Sequence, residues 1–318
     1  MSGVSGGGLP PEFLSRARQV LGDEGYEDLL RATSEPRPVW LRVNTLVASV
    51  DEVRAALTDF DVQGGPWPEA LRVPRERRAE LVRHPLVEAG AVYLQSLSSQ
   101  AAARALDPQP GEDIVDLCAA PGSKTTHIAA LMREGVIVAN EVSKGRSHKL
   151  RAVLSQLRVS GREELDVRVR TGDGARFRGH RDCFDRVLVD APCSGEGRFH
   201  LSDPRSYAGW TPKKVKGLAS KQKALLHAAL DATKPGGVVV YATCTLAPEE
   251  NEGVLARALK RYDGVAELEP LPVELATARP GLPEWKGKAL DGRIAQHARR
   301  IPPGPDWDGF FLARFRLL

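Results

Sequence analysis

At 318 residues the chain is too long for one minimal domain and fits a large α/β domain with a smaller companion. A hydrophobic share of 42 % supplies a proper core, and no run approaches the ~18 apolar residues that a membrane helix requires. The net charge of +4 is only mildly basic, so bulk charge by itself selects no nucleic-acid partner.

The first residues, MSGVSGGG, lack both a basic start and an apolar stretch; no signal peptide is expected, and 1–10 reads as a flexible leader. Residues 11–33 predict a helix or two, with Phe13, Ala17, Val20 and Leu21 at helical spacing. WLRVNT (40–45) is strand-like, and Ser49 with Glu52 three residues on has the pattern of a capping box. Further short strands are expected at 71–73 and 91–94, with GGPWP (64–68) as a loop between them. Residues 11–96 therefore form a small α+β module, an accessory or RNA-binding domain.

From residue 97 to 318 the pattern becomes strand–loop–helix alternation. Candidate strands are 113–117, 136–140, 166–170, 186–190 and 238–242, each a short β-branched run suited to burial on both faces. Helical segments such as 124–132 and 218–230 fill the gaps, which predicts a doubly wound parallel sheet.

Charge is clustered. Five lysines and no acid occupy 213–223, and Arg72, Arg75, Arg77, Arg78 and Arg83 stand against two glutamates. Each cluster reads either as a phosphate-binding surface or as a solvated face. The four cysteines form no CxxC pair and have no histidines at zinc spacing, so neither a metal site nor a disulfide framework is expected. Cys118 and Cys183 read as structural.

In doubly wound sheets ligands bind beyond the carboxyl ends of the strands. The first such strand runs into DLCAAPGSKTTHIA, where Ala119, Ala120 and Gly122 let the backbone pass close to a ligand. Thr125 and Thr126 lie in the helix opening, where free N–H groups attract a carboxylate. The spacing is neither GxGxxG nor that of a phosphate loop. The second strand ends in Asn140-Glu141, an acid suited to ribose hydroxyls, and the third leads to Asp173, within reach of an adenine amino group. Three acids at successive strand ends point to a nucleoside site. The fourth strand runs into DAPCSGEGRF (190–199) and the fifth into ATCTLAPEENE (242–252), placing two thiols and Asp190 over one crevice.

CAAPGSK, DAPCSGEG and ATCTLAPEENE resemble the RNA cytosine-5 methyltransferases of the NOL/NOP/Sun type. RVNT (42–45), YLQSLSS (93–99), TKPGG (233–237) and DGFFLARF (308–315) match the same pattern in family order. Ser123 and Glu141 depart from it, standing where many members have Gly and Asp. The resemblance implies a Rossmann-like class I methyltransferase fold that binds S-adenosyl-L-methionine. The implied cofactor site comprises Cys118, Ala119, Ala120, Pro121, Gly122, Ser123 and Lys124, with Glu141, Arg146, Asp173 and Asp190. It further implies Cys244 as the nucleophile adding to carbon 6 of cytosine, and Cys193 assisting loss of the carbon 5 proton and product release. Asp190 would bind the cytosine edge, and Lys124 would lie near cofactor or base. The expected partner is looped rRNA or tRNA with its target cytosine unstacked, acted on by a cytoplasmic monomer with no membrane association. Two rivals remain: a DNA cytosine-5 methyltransferase attacking through Cys193, which the second thiol in ATCT disfavours, and a non-catalytic RNA-binding assembly factor.

Overall fold

The five apolar runs become five parallel strands. The structure, a computed structural model, describes residues 8–179 and 182–318. In the N-terminal part, β1 (Val39–Val43), β2 (Gln63–Gly64), β3 (Ala70–Val73) and β4 (Val92–Leu94) form an antiparallel sheet in the order β2-β3-β1-β4. In the larger sheet β5 (Asp113–Asp116), β6 (Gly135–Glu141), β7 (Leu165–Thr171), β8 (Phe184–Asp190) and β9 (Thr233–Thr243) lie parallel in the order β9-β8-β5-β6-β7.

Alternation along these strands divides their side chains between two cores. Ile114, Leu188 and Val240 join one face, while Val115, Val187, Val189 and Val239 join the other. In β5, β8 and β9 both faces are buried, which explains why those runs are almost wholly apolar, whereas β7 at the sheet edge keeps Asp166 and Arg168 exposed. Strand order reverses between β5 and β8, so the crevice opens beyond their carboxyl ends.

The sheet is mixed rather than purely parallel. The strand Phe310–Leu317 runs antiparallel to β9 and is flanked by Arg299–Ile301 and Ala266–Glu269. Arg314 within it is buried and ion-paired with Glu269, and its guanidinium also donates to the Ala105 carbonyl. A charged residue satisfied from distant segments hides a buried strand from any reading of apolar runs.

The helix Pro11–Ser34 kinks at Gly22, whose φ is +72°. Its first half packs on the loops beyond β8 and β9: Phe13 meets Phe199 at 4.8 Å and Trp210 at 5.9 Å, and Arg16 pairs with Glu249 at 2.6 Å. Leu9, only 3 % exposed, belongs to the same cluster. The leader expected over 1–10 is thus corrected at its end, since Leu9 is anchored; residues 1–7 lie outside the described residues.

The capping box at Ser49 and Glu52 forms in both directions. Buried polar contacts join the two sheets: Asn44 donates to the carbonyls of Gly90 and Leu157, and Arg42 donates to Gln95 and Thr126. Glu69 accepts from Arg104 and pairs with His127. Among the described residues, no helix is long and apolar enough to cross a membrane.

Candidate active site

The crevice is a cavity of about 1040 Å³ lined by the loops that follow β5, β6, β7, β8 and β9. Its floor begins at Asp116, buried at the end of β5. The Thr125 hydroxyl donates to Asp116 at 2.8 Å and the Cys118 N–H at 3.2 Å. Burial pushes the Asp116 carboxyl up to about 7. Thr125 and Thr126 therefore spend their hydroxyls on structure, and the Thr126 N–H is already bonded to the Gly122 carbonyl. Gly122 has φ +117°, and an added Cβ would lie 3.1 Å from Leu150. It packs behind the loop, whereas Cys118, Ala119, Ala120, Pro121, Ser123 and Lys124 line the cavity.

Asn140 staples the strand ends, donating to the carbonyls of Leu117 and Gly172 at 3.0 Å each. Beside it the Glu141 carboxylate, 2 % exposed, accepts from the Ser143 N–H at 2.9 Å and pairs with Arg146 at 3.2 Å. Arg146 also donates to the Ala120 carbonyl at 2.6 Å, bridging the two loops. A carboxylate offers about four acceptor positions, so Glu141 retains capacity for hydroxyl donors. Val142 is 65 % exposed on the cavity wall, and Asp173 lies exposed beyond it. An apolar wall between two carboxylates fits a nucleoside cofactor: a purine face on Val142, ribose hydroxyls at Glu141, and an exocyclic amine at Asp173.

At the other end Cys193 and Cys244 bring their sulfurs within 3.0 Å. The hydrogen bond between the two thiols draws the Cys244 thiol below its usual value, aided by Arg198 and opposed by burial. The same hydrogen bond, with burial, raises Cys193 well above the usual thiol range. Asp190 pairs with Lys124 at 2.6 Å, and Lys124 also donates to Ser99 at 2.9 Å. Burial raises the Cys118 thiol well above its usual value, although Cys118 lines the cavity. Cys183 is exposed at the opposite end of β8.

A buried carboxylate scaffold holds the thiol-bearing loops. Glu250 accepts from the Ser194 N–H at 3.0 Å and from Gln222 at 2.7 Å. Glu196 accepts from the Trp210 indole at 2.8 Å and the Leu246 N–H at 3.2 Å, and burial pushes it up to about 7. Thr243 donates to Asn251 at 2.6 Å, and Glu252 pairs with Arg300 at 2.5 Å. The sequence displays these acids without indicating their burial, and it assigns no role to Arg198, which lies at the cavity mouth. The signal for Arg198 was its place in the DAPCSGEGRF segment.

The basic clusters divide. Lys213, Lys214, Lys216 and Lys221 are exposed on the helix Pro212–Ala232, and Lys221 reaches the cavity rim. Arg72 is spent on Asp306 and Gln63, and Arg77 on Glu80 and the face of Phe60, while Arg75, Arg78 and Arg83 are exposed.

Comparison with known proteins gives these features a context. The sequence model of the family described as "16S rRNA methyltransferase RsmB/F" matches residues 103–316, and that of the "N-terminal domain of 16S rRNA methyltransferase RsmF" matches 9–97. The tRNA (cytosine(49)-C(5))-methyltransferase of Pyrococcus abyssi is 36 % identical over 282 residues, 87 % of each chain. Ribosomal RNA small subunit methyltransferase F of Serratia proteamaculans is 36 % identical across 97 % of this chain, which spans 63 % of that relative's length. Among solved structures, a methyltransferase homolog protein from Pyrococcus horikoshii has a TM-score of 0.81 at 34 % identity, covering 98 % of this chain and 100 % of that one.

Proposed function

The chain belongs to the RsmB/F family of 16S rRNA methyltransferases, and from that premise we propose that it methylates carbon 5 of a cytosine in ribosomal or transfer RNA through a covalent Cys244 adduct. The observation that carries this reading is the thiol pair, 3.0 Å apart in the same cavity as the cofactor loop.

S-adenosyl-L-methionine supplies an electrophilic methyl group on a sulfonium. The residues that would hold it are the loop from Cys118 to Lys124 with Glu141, Arg146, Asp173 and Asp190. Cytosine carbon 5 is a poor nucleophile, and adding a thiolate at carbon 6 makes it electron-rich. Cys244 is the better attacking group because the Cys193 hydrogen bond favours its anion. Asp190, held by Lys124 at 2.6 Å, orients the cytosine edge by accepting from its amino group, and the Lys124 ammonium offsets the negative charge that the addition creates on the ring. Once the carbon–sulfur bond forms, Cys244 no longer carries the anion that holds the Cys193 proton. Cys193 then ionises more readily, giving its proton to solvent; its thiolate takes the proton from the methylated carbon 5, and the carbon–sulfur bond breaks to release product and the Cys244 thiolate.

The cavity is recessed, so the target base must leave its stack, at a cost of about a few kcal/mol in duplex; looped RNA is the favoured substrate. Incubating the protein with methyl-labelled cofactor and total RNA tests the reading: label should appear in 5-methylcytosine. Tight RNA binding with no label in any base would identify a non-catalytic binding protein instead.

A further inference from the structure

Arg198 is an exposed cation on the wall of the cavity that holds the nucleophile, without an assigned role. It closes the single turn Glu196–Arg198, and that turn is clamped on both sides. The Gly197 N–H donates to the Cys244 carbonyl at 3.0 Å, and the Gly309 N–H donates to the Gly197 carbonyl at 2.8 Å. A Cβ on Gly197 would lie 1.9 Å from the Gly309 carbonyl oxygen, so this approach requires glycine. The Arg198 backbone is thereby set one residue from a direct bond to Cys244, and its side chain lines the cavity with both thiols.

Neighbouring arginines are committed: Arg16 to Glu249, Arg37 to Asp308, and Arg300 to Glu252. The other cation at the thiols, Lys124, is matched by Asp190 at 2.6 Å. Arg198 alone of this group makes no side-chain hydrogen bond or ion pair among the described residues.

We propose that Arg198 is a positioning residue for the attack, a cation held on the cavity wall with Cys244, without an ion pair of its own, that favours the nucleophile in its attacking form. The inference rests on the reading of Cys244 as the attacking thiol. The groups facing that sulfur oppose one another. Cys193, Arg198 and Lys124 favour its anion; burial and Asp190 disfavour it. Glu250 acts on Cys193, and Asp308 and Asp190 on Arg198. Because only the thiolate attacks, a cation at this point sets the fraction of competent enzyme at neutral pH.

Iodoacetamide alkylation of the free enzyme across a pH series tests this, with each cysteine followed by peptide mass spectrometry. The pH midpoint is the readout, because the plateau rate also reflects intrinsic nucleophilicity. In Arg198→Met the Cys244 midpoint should rise by about 0.5–1 unit, slowing alkylation about 3- to 10-fold below the midpoint, while Arg198→Lys keeps it near wild type. A midpoint unchanged in Arg198→Met, or raised equally in Arg198→Lys, overturns the proposal. If Arg198→Met instead weakens only RNA binding, Arg198 is a phosphate contact and the proposal is likewise overturned. Neither cofactor nor RNA enters the alkylation assay, so its failure is distinct from a failure of methyl transfer, measured separately on the same preparations.

Discussion

The two ends of the cavity are built on different principles. At the cofactor end the walls are backbone, small residues, the buried carboxylates of Asp116 and Glu141, and the exposed side chains of Val142, Asp173 and Arg146. At the thiol end the walls stand on carboxylates and an amide that are almost wholly buried: Glu196, Glu250, Asn251 and Glu252. The first surface gains its missing contacts from a ligand. The second is organised by its own hydrogen bonds, which hold two sulfurs 3.0 Å apart without help. Substitutions should therefore weaken binding at one end and damage chemistry or folding at the other.

The largest effect expected is on turnover. Cys244→Ala should form no methylated RNA while binding cofactor as wild type does, by calorimetry. Residual product at a substantial fraction of the wild-type rate would place the nucleophile elsewhere. Next comes the scaffold. Glu252→Ala strands Arg300 in the interior and should destabilise the fold by about 3–5 kcal/mol in denaturant unfolding. A loss below 1 kcal/mol, on the order of an exposed pair, would show that the pair is not the support described. At the cofactor end, Glu141→Ala should cost roughly 1.5–3 kcal/mol of cofactor affinity by calorimetry and leave stability nearly intact. Unchanged affinity would remove Glu141 from the site.

A smaller effect compares the ends through pH. Asp116 and Glu196 each have a folded pKa of about 7 because of burial. The unfolded value is lower, about 4, so both acids favour the fold when protonated and oppose it as pH rises from about 4 to about 7. Asp116→Asn and Glu196→Gln should each gain stability relative to wild type across that window. A difference constant with pH would contradict the burial argument.

Much of this architecture is readable before any coordinates. The candidate strands 113–117, 136–140 and 166–170 differ from β5, β6 and β7 by one residue at one or both ends, because β-branched residues recur along each run. The start of β9 at Thr233 was missed because Pro235, Gly236 and Gly237 mask it. The thiols and strand-end acids stand out because the carboxyl edge of such a sheet is where ligands go. What escapes the sequence is long-range compensation. Glu252 and Arg300, Arg314 and Glu269, and Arg72 and Asp306 all look like surface charges until folding pairs them. Docking of Phe13 on Phe199 and Trp210 is hidden for the same reason: its partners lie far along the chain.

The covalent route through two unequal thiols is the central claim, and adduct trapping tests it most directly. With RNA and cofactor present, Cys193→Ala should accumulate an RNA–protein adduct that survives denaturing electrophoresis, because attack and methyl transfer proceed while elimination stalls. Cys244→Ala should form none. An adduct with Cys244→Ala and none with Cys193→Ala would contradict the account and assign the attack to the thiol beyond β8.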